Sequence, residues 1–216
     1  MTRLVGIGAG GHAKVVLEIL KLMGGYEIAA FVDPRKELWG RDVLEVPVRG
    51  DDTLLPSLYD QGIRHAFIGV GTTGDTRARR KLYQKVCGLG FEMVSAIHPQ
   101  AIISPSAVIG QGVTIMAGTV INADAAIGDN VILNSGAIVE HDCVIGCHVH
   151  IATGACLAGT VFVGDGTHVG LGAMVRQSIN IGQNVVVGAG ALVLQDIPDN
   201  MVVAGVPARI LKSAEN

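Results

Sequence analysis

The stretch Glu140-His141-Asp142-Cys143 sets an imidazole between two carboxylates. A histidine that titrates at about 6.5 is suited to take a proton from an attacking amine or hydroxyl near neutral pH. A carboxylate beside it would fix its tautomer and favour the imidazolium that forms. Cys147, His148 and His150 follow closely, so the same stretch also offers metal-ligand chemistry. Near the N-terminus, Gly8-Ala9-Gly10-Gly11-His12 has the composition of a phosphate-holding turn, and Asp33 stands where an acid would close such a site.

What positions His141 is a run with a period of six. From Ile97 through Ile103, Ile109 and onward to Val187 and Val193, every sixth residue is Ile, Leu or Val. Four residues after each of these lies a small or β-branched one, from Ala101 and Ala107 to Ala191 and Ile197. The period fits neither an α-helix nor a plain strand, but it does fit short strands joined by tight turns, a parallel β-helix of hexapeptide repeats. Three strands make a coil, so residues about eighteen apart should stack at the spacing of neighbouring strands, about 4.8 Å. Gly110, Gly128, Gly146, Gly164, Gly170, Gly182 and Gly188 follow the large aliphatics, where a turn is expected to need a relaxed backbone.

The register also sorts the candidate ligands. It turns Cys143 inward and spreads His141, Cys147, His148 and His150 over different faces, which argues against a metal ion within one chain. Cys87, Cys143, Cys147 and Cys156 read as free thiols. His168 falls one coil beyond His150 and should pack on it. A prism with flat sides has no pocket of its own, so a site is expected where copies meet, and an oligomer with it.

Residues 1–96 read as alternating strands and helices. A strand over 3–8 runs into the glycine turn and a helix over His12–Met23, with Val15, Val16, Ile19, Leu20 and Met23 at helical spacing. A second strand, Ile28–Val32, ends at Asp33-Pro34. Val46-Pro47-Val48 reads as a short edge strand, Thr53–Gln61 and Thr76–Leu89 as helices, and His65–Val70 and Phe91–Ala96 as strands. Arg77 and Arg80 read as a solvated helix face. The unit has the size of one mononucleotide-binding half. The expected organisation is thus a Rossmann-like α/β domain over 1–96, an all-β helix over 97–197 and a C-terminal cap over 198–216.

Composition excludes several classes of partner. Of the 216 residues 49% are hydrophobic, 16% charged and 4% aromatic, and the formal net charge is −3. No basic patch with interleaved aromatic rings marks a nucleic-acid surface. No apolar run reaches the length of a membrane span, and the N-terminus does not read as a signal peptide, so a cytoplasmic location is expected.

The glycine turn, the hexads with Asn134 and Glu140-His141-Asp142-Cys143-Val144-Ile145-Gly146, and the closing Gly205-Val206-Pro207-Ala208-Arg209 together resemble the PglD, PerB and NeuD group. These are nucleotide-sugar N-acetyltransferases and sialic-acid O-acetyltransferase-like proteins of the hexapeptide-repeat class. The resemblance implies a homotrimer of left-handed β-helices with acetyl-CoA between neighbouring prisms and no metal. It implies N-acetylation of the 4-amino group of a UDP- or dTDP-linked amino-dideoxy sugar in glycan biosynthesis. By position, His141 is the general base and Asp142, commonly Glu in relatives, orients it. Asn134, Gly8, Gly11, His12 and Asp33 fall to the acceptor and its nucleotide, and His150 lies near the thioester. Gly159, one coil beyond His141, would offer its N–H to the oxyanion. Gly170, Gly172 and Ala189 would keep the wall low for pantetheine, while Arg209 and Lys212 reach the CoA phosphates.

Three other readings compete. An O-acetyltransferase of a free or activated sugar or sialic acid would use the same base on a hydroxyl. A γ-type carbonic anhydrase, also a trimeric prism, would carry near-stoichiometric zinc. A non-catalytic nucleotide-sugar binder would lose nothing measurable when His141 is replaced by alanine.

Overall fold

The computed structural model describes residues 1–214, so the last two residues of the expected 198–216 cap lie outside the described residues. The chain divides by contact into two units. One is Met1–Gly71 with Arg79–Pro99, and the other is Thr72–Ala78 with the chain from Gln100 onward.

In the first unit, β1 (Thr2–Ile7), β2 (Tyr26–Val32), β3 (Asp42–Val43), β4 (Val46–Gly50), β5 (His65–Ile68) and β6 (Glu92–Met93) form a sheet in the order β3-β4-β2-β1-β5-β6. All pairs are parallel except the β3–β4 hairpin. The order of a doubly wound sheet follows from helices crossing over between parallel strands. Helix α1 (Gly11–Met23) buries Ala13, Val16, Leu17, Ile19 and Leu20. The buried stripe therefore runs through Ala13 and Leu17, and the expected Val15 and Met23 stay 38% and 36% exposed. Gly6 is required by packing, because a Cβ there would fall 2.4 Å from the Phe31 ring. Phe31 in turn stands edge-on to Phe67, with ring centroids 5.7 Å apart.

Two local expectations are corrected. β4 is not an edge strand, because the hairpin partner β3 covers its outer side. β5 stops at Ile68 and does not run to Val70. The reason is Arg79 on α3 (Arg77–Gly88), which is 2% exposed and donates to both Ile68 O and Val70 O. Arg77 is exposed and pairs with Asp75, as a solvated helix face would. Helix α2 (Leu55–Asp60) is preceded by a 3-10 turn over Asp52–Leu54.

The second unit is a parallel β-helix with three faces. Face I carries Thr114–Ile115, Ile132–Leu133, His150–Ile151, His168–Val169 and Val186–Val187. Face II carries the strands from Ile102–Ile103 to Leu192–Val193, and face III those from Val108–Ile109 to Asn180–Ile181. Partners are eighteen residues apart at every step, as in Ile132↔His150 and Ile138↔Cys156. The interior is the pair of series read from the sequence: Leu133, Val139, Ile151, Leu157 and Val163 are fully buried, and so are Ala137, Cys143, Ala155 and Thr167. The buried Thr167 hydroxyl donates to Gly182 O and accepts from Val185 N, so no polar atom is stranded there.

The glycines after the large aliphatics answer to a different cause from the one expected. Gly110, Gly128, Gly146, Gly164, Gly170, Gly182 and Gly188 do not have positive φ. Most of them face the backbone of the next coil; at Gly170 a Cβ would lie 2.5 Å from Val187 O and 2.7 Å from Ala189 N. Positive φ instead recurs two residues later in each repeat, at Gly136, Asp142, His148, Gly154, Thr160, Gly166, Gly172, Ser178 and Asn184. After Ile197, which bridges Ile181 on face III, Met201–Ala204 pairs with Val186–Val187 and Arg209–Ser213 returns antiparallel to it. Leu192 N donates to Gly205 O and Ala208 N to Leu192 O, so the last coil meets the tail on each face.

Candidate functional site

His141 sits at the turn that joins face II to face III. Asp142 is the left-handed residue of that turn, with φ 59°, and this folds its carboxylate back to the ring. His141 Nδ1 lies 2.7 Å from Asp142 Oδ2, so the shorter acid reaches the imidazole without a Glu. A carboxylate only accepts, which puts the proton on Nδ1 and leaves the Nε2 lone pair open. The hydrogen bond to Asp142 raises the histidine above its ordinary pKa, with the Asp142 and Glu140 charges adding to it. Asn122 Nδ2 holds Glu140 Oε2 at 2.9 Å, so that acid stays beside the turn.

Gly159 stacks on His141. A Cβ on it would fall 2.6 Å from both Nε2 and Cε1, so the missing side chain makes room for the ring. Along the same corner a cavity of about 520 Å³ is lined by Ala158, Arg176, Gln177 and Ser178. Another of about 280 Å³ lies between Val193–Ile197 and the returning tail, with Arg209 on its wall. Arg209 is exposed and its Nη1 donates to Ala208 O, and Lys212 is exposed on the same strand. Arg176, Gln177 and Ser178 carry no motif; their signal was the register, since Gln177 is one coil beyond Gly159.

The other residues expected to bind acetyl-CoA gather elsewhere on the unit. His150, Gly170 and Ala189 line a cavity of about 360 Å³ together with His168 and Thr72. His150 is 6% exposed and touches Thr72 through Nδ1 and Asn134 through Nε2. His168 packs edge-to-face on it, with ring centroids 4.9 Å apart at 78°. Burial lowers the pKa of His168, whose Nδ1 has no hydrogen-bond partner among the described residues. Gly172 is left-handed with open space where a Cβ would be. Within one chain, then, the imidazole of His141 and the cavity at His150 belong to different faces.

His148 does not join them; its Nδ1 lies 2.9 Å from Asn130 Nδ2 in the stack of left-handed turn residues. Cys143 is buried and its Sγ donates to Ala158 O. Among the described residues no three His, Cys, Asp or Glu side chains come together as metal ligands would.

In the first unit, Gly8 has φ +91° and a Cβ there would strike Val70, while Gly11 begins α1 with open space at its Cα. Gly10 N-caps α1 with no side-chain cap, so His12 does not cap the helix. His12 Nε2 is buried with no partner among the described residues. Burial, with the Arg79 charge nearby, lowers its pKa to about 3, so it is neutral near pH 7. Asp33 is committed to the chain: Oδ2 accepts from Ala9 N and Arg35 Nη2, and Oδ1 from Arg35 N and Nε. Burial would raise its pKa, but these donors outweigh it and hold the carboxyl at about 2. Arg35, half exposed, is thus the charged group standing beside the glycine turn, and the sequence reading passed over it.

Residues 3–86 match the family described as PglD N-terminal domain. The chain is similar to PerB from Caulobacter crescentus, solved with CoA and GDP-perosamine: 46% identity, TM-score 0.90, and 97% of each chain covered. It is similar to the acetyltransferase domain of PglB from Neisseria gonorrhoeae solved with acetyl coenzyme A, at 42% identity and TM-score 0.89 over 97% of this chain and 99% of that one. A UDP-N-acetylbacillosamine N-acetyltransferase from Bacillus subtilis is 38% identical over 114 residues, a match that spans about half of either protein. No helix among the described residues is long and apolar enough to cross a membrane.

Proposed function

The chain belongs to the PglD/PerB family of nucleotide-sugar acetyltransferases, a Rossmann-like domain followed by a left-handed β-helix, and from this we propose that it N-acetylates an amino sugar carried on a nucleoside diphosphate. Acetyl-CoA is the donor. The observation that carries the reading is the 2.7 Å bond between His141 Nδ1 and Asp142 Oδ2, which leaves Nε2 as a base facing the gap at Gly159.

The sugar amine arrives neutral and forms a C–N bond to the thioester carbonyl as its proton passes to Nε2. Asp142 stabilises the imidazolium, and the Gly159 N–H stabilises the oxyanion. The C–S bond then breaks, and the thiolate takes the proton from the imidazolium to leave as CoA. Arg176 and Arg209, exposed on the corner beyond Gly159, are the cations offered to the CoA phosphates. Gly8, Gly11 and Arg35, with His12 neutral beneath them, serve the nucleotide, and Asp33 acts through Arg35.

We read the working form as a homotrimer in the cytoplasm, feeding glycan assembly. The outward residues of face II support self-association: Ile102 and Met174 are 65% and 48% exposed, and Val120, Ile138, Cys156 and Leu192 complete an apolar stripe. A seam between copies would bring the His141 corner of one chain to the His150 cavity of the next.

The test is acetyl-CoA with a panel of GDP-, UDP- and dTDP-linked 4-amino sugars, following thiol release and product mass. The reading predicts an N-acetylated nucleotide sugar. Products confined to O-acetyl sugars, or no transfer to any member of the panel, would overturn it.

A further inference from the structure

His150 uses both ring nitrogens on the chain itself. Ser135 N donates to Asn134 Oδ1 at 2.8 Å, which orients the amide so that Nδ2 lies 3.2 Å from His150 Nε2. An amide nitrogen only donates, so Nε2 must accept, and the ring proton of a neutral imidazole then sits on Nδ1. Nδ1 is 2.7 Å from Thr72 Oγ1, which accepts that proton's hydrogen bond. An imidazolium would set two donors against each other at Asn134, so the arrangement holds only the neutral ring.

A hydroxyl that accepts from an imidazole keeps its own proton for another acceptor. Thr72 lines the cavity of about 360 Å³, and no second partner of Oγ1 appears among the described residues. Apart from Thr73 and His168, whose pKa burial lowers, the remaining walls are apolar or glycine, as at Ala152, Leu171, Val186 and Gly188, with no lysine or arginine among its lining residues. A neutral donor in such a wall suits a neutral carbonyl, not a phosphate, which would call for cations.

We propose that Thr72 O–H, and not His150, is the donor presented to a carbonyl oxygen of the acyl-pantetheine, with His150 and Asn134 as the positioning residues that aim it. The assignment rests on the acetyl-CoA reading above. It also gives a role to the segment Thr72–Ala78, which packs with the β-helix although the chain on either side of it belongs to the first unit.

Two measurements test it. In the native protein, imidazole ¹⁵N spectra assigned by comparison with His150→Asn should show His150 as the neutral Nδ1–H tautomer; an Nε2–H ring or an imidazolium at pH 7 would overturn the assignment. In kinetics, Thr72→Val should lower kcat/KM for acetyl-CoA about tenfold while the acceptor KM stays nearly the same, and Thr72→Ser should restore it. A Thr72→Val enzyme with native kinetics, or a serine variant no better than valine, would also overturn it. Native protein that transfers no acetyl group would sink the reading above, and the tautomer would still decide the placement of the Thr72 proton.

Discussion

Gly159 lies one coil beyond His141, where a side-chain methyl would fall 2.6 Å from the imidazole Nε2. The obstacle would be the far end of an exposed side chain, so the ring would swing aside at little cost to the fold. Gly159→Ala should therefore keep its melting temperature and lose acetyl transfer by about 10- to 100-fold, because a base displaced by an ångström no longer reaches its proton. Assays of rate and thermal unfolding on the same preparation separate this from a folding defect.

The Asp142 contact sets a pH signature. His141 is raised above the ordinary value, and the base works deprotonated, so the acidic limb of the native rate profile should lie above about pH 6.5. Asp142→Asn removes the charge but keeps an acceptor for Nδ1–H. The limb should shift toward lower pH while the plateau rate falls, and an unmoved limb would mean that Asp142 does not act on His141.

Gly170 distinguishes a packing demand from a ligand groove. A Cβ there meets Val187 O, Gly188 C and Ala189 N at 2.5–2.8 Å, and these are backbone atoms of the next coil that cannot yield cheaply. Gly170→Ala should cost about 1–3 kcal/mol of stability in denaturant unfolding, even without any ligand. Equal stability with weakened CoA binding would instead favour a groove.

His12 links stability to acid. Its pKa falls from 6.5 unfolded to about 3 folded, so the unfolded chain binds the proton first. Stability should decline as pH drops below about 6.5, with the His12 share complete near pH 3. The size expected for that share at pH 4 is about 3 kcal/mol. His12→Gln should show a shallower loss between pH 6.5 and 4; an unchanged slope would contradict the burial argument.

Periodicity carried most of the fold. Each Ile, Leu or Val at the sixth position faces the interior because a hexad is a strand plus a turn, and this relation is local enough to read directly. Asp142 and Gly159 were legible for the same reason, being set by the turn and the coil. The cause assigned to Gly170 was not, because close approach of the next coil and a left-handed turn both select glycine, and the left-handed slot lies two residues further on, where Gly172 shares it with Asp142, His148 and Thr160. Thr72 was invisible: its partner His150 is 78 residues away, and only the glycine-rich run around it hinted at a loop. Arg79 was hidden in a helix whose neighbouring arginines are solvated, although its burial fixes where β5 ends. Asp33 stood at the expected strand tip, but it is the folded turn that brings Ala9 N and Arg35 onto its carboxylate.

The base is the part of the account with most resting on it, and replacing its side chain tests it directly. In His141→Ala, acetyl transfer to the preferred nucleotide-linked amino sugar should drop by about 10²-fold or more, with the calorimetric affinity for CoA nearly native. A variant that transfers acetyl at the native rate would contradict the account.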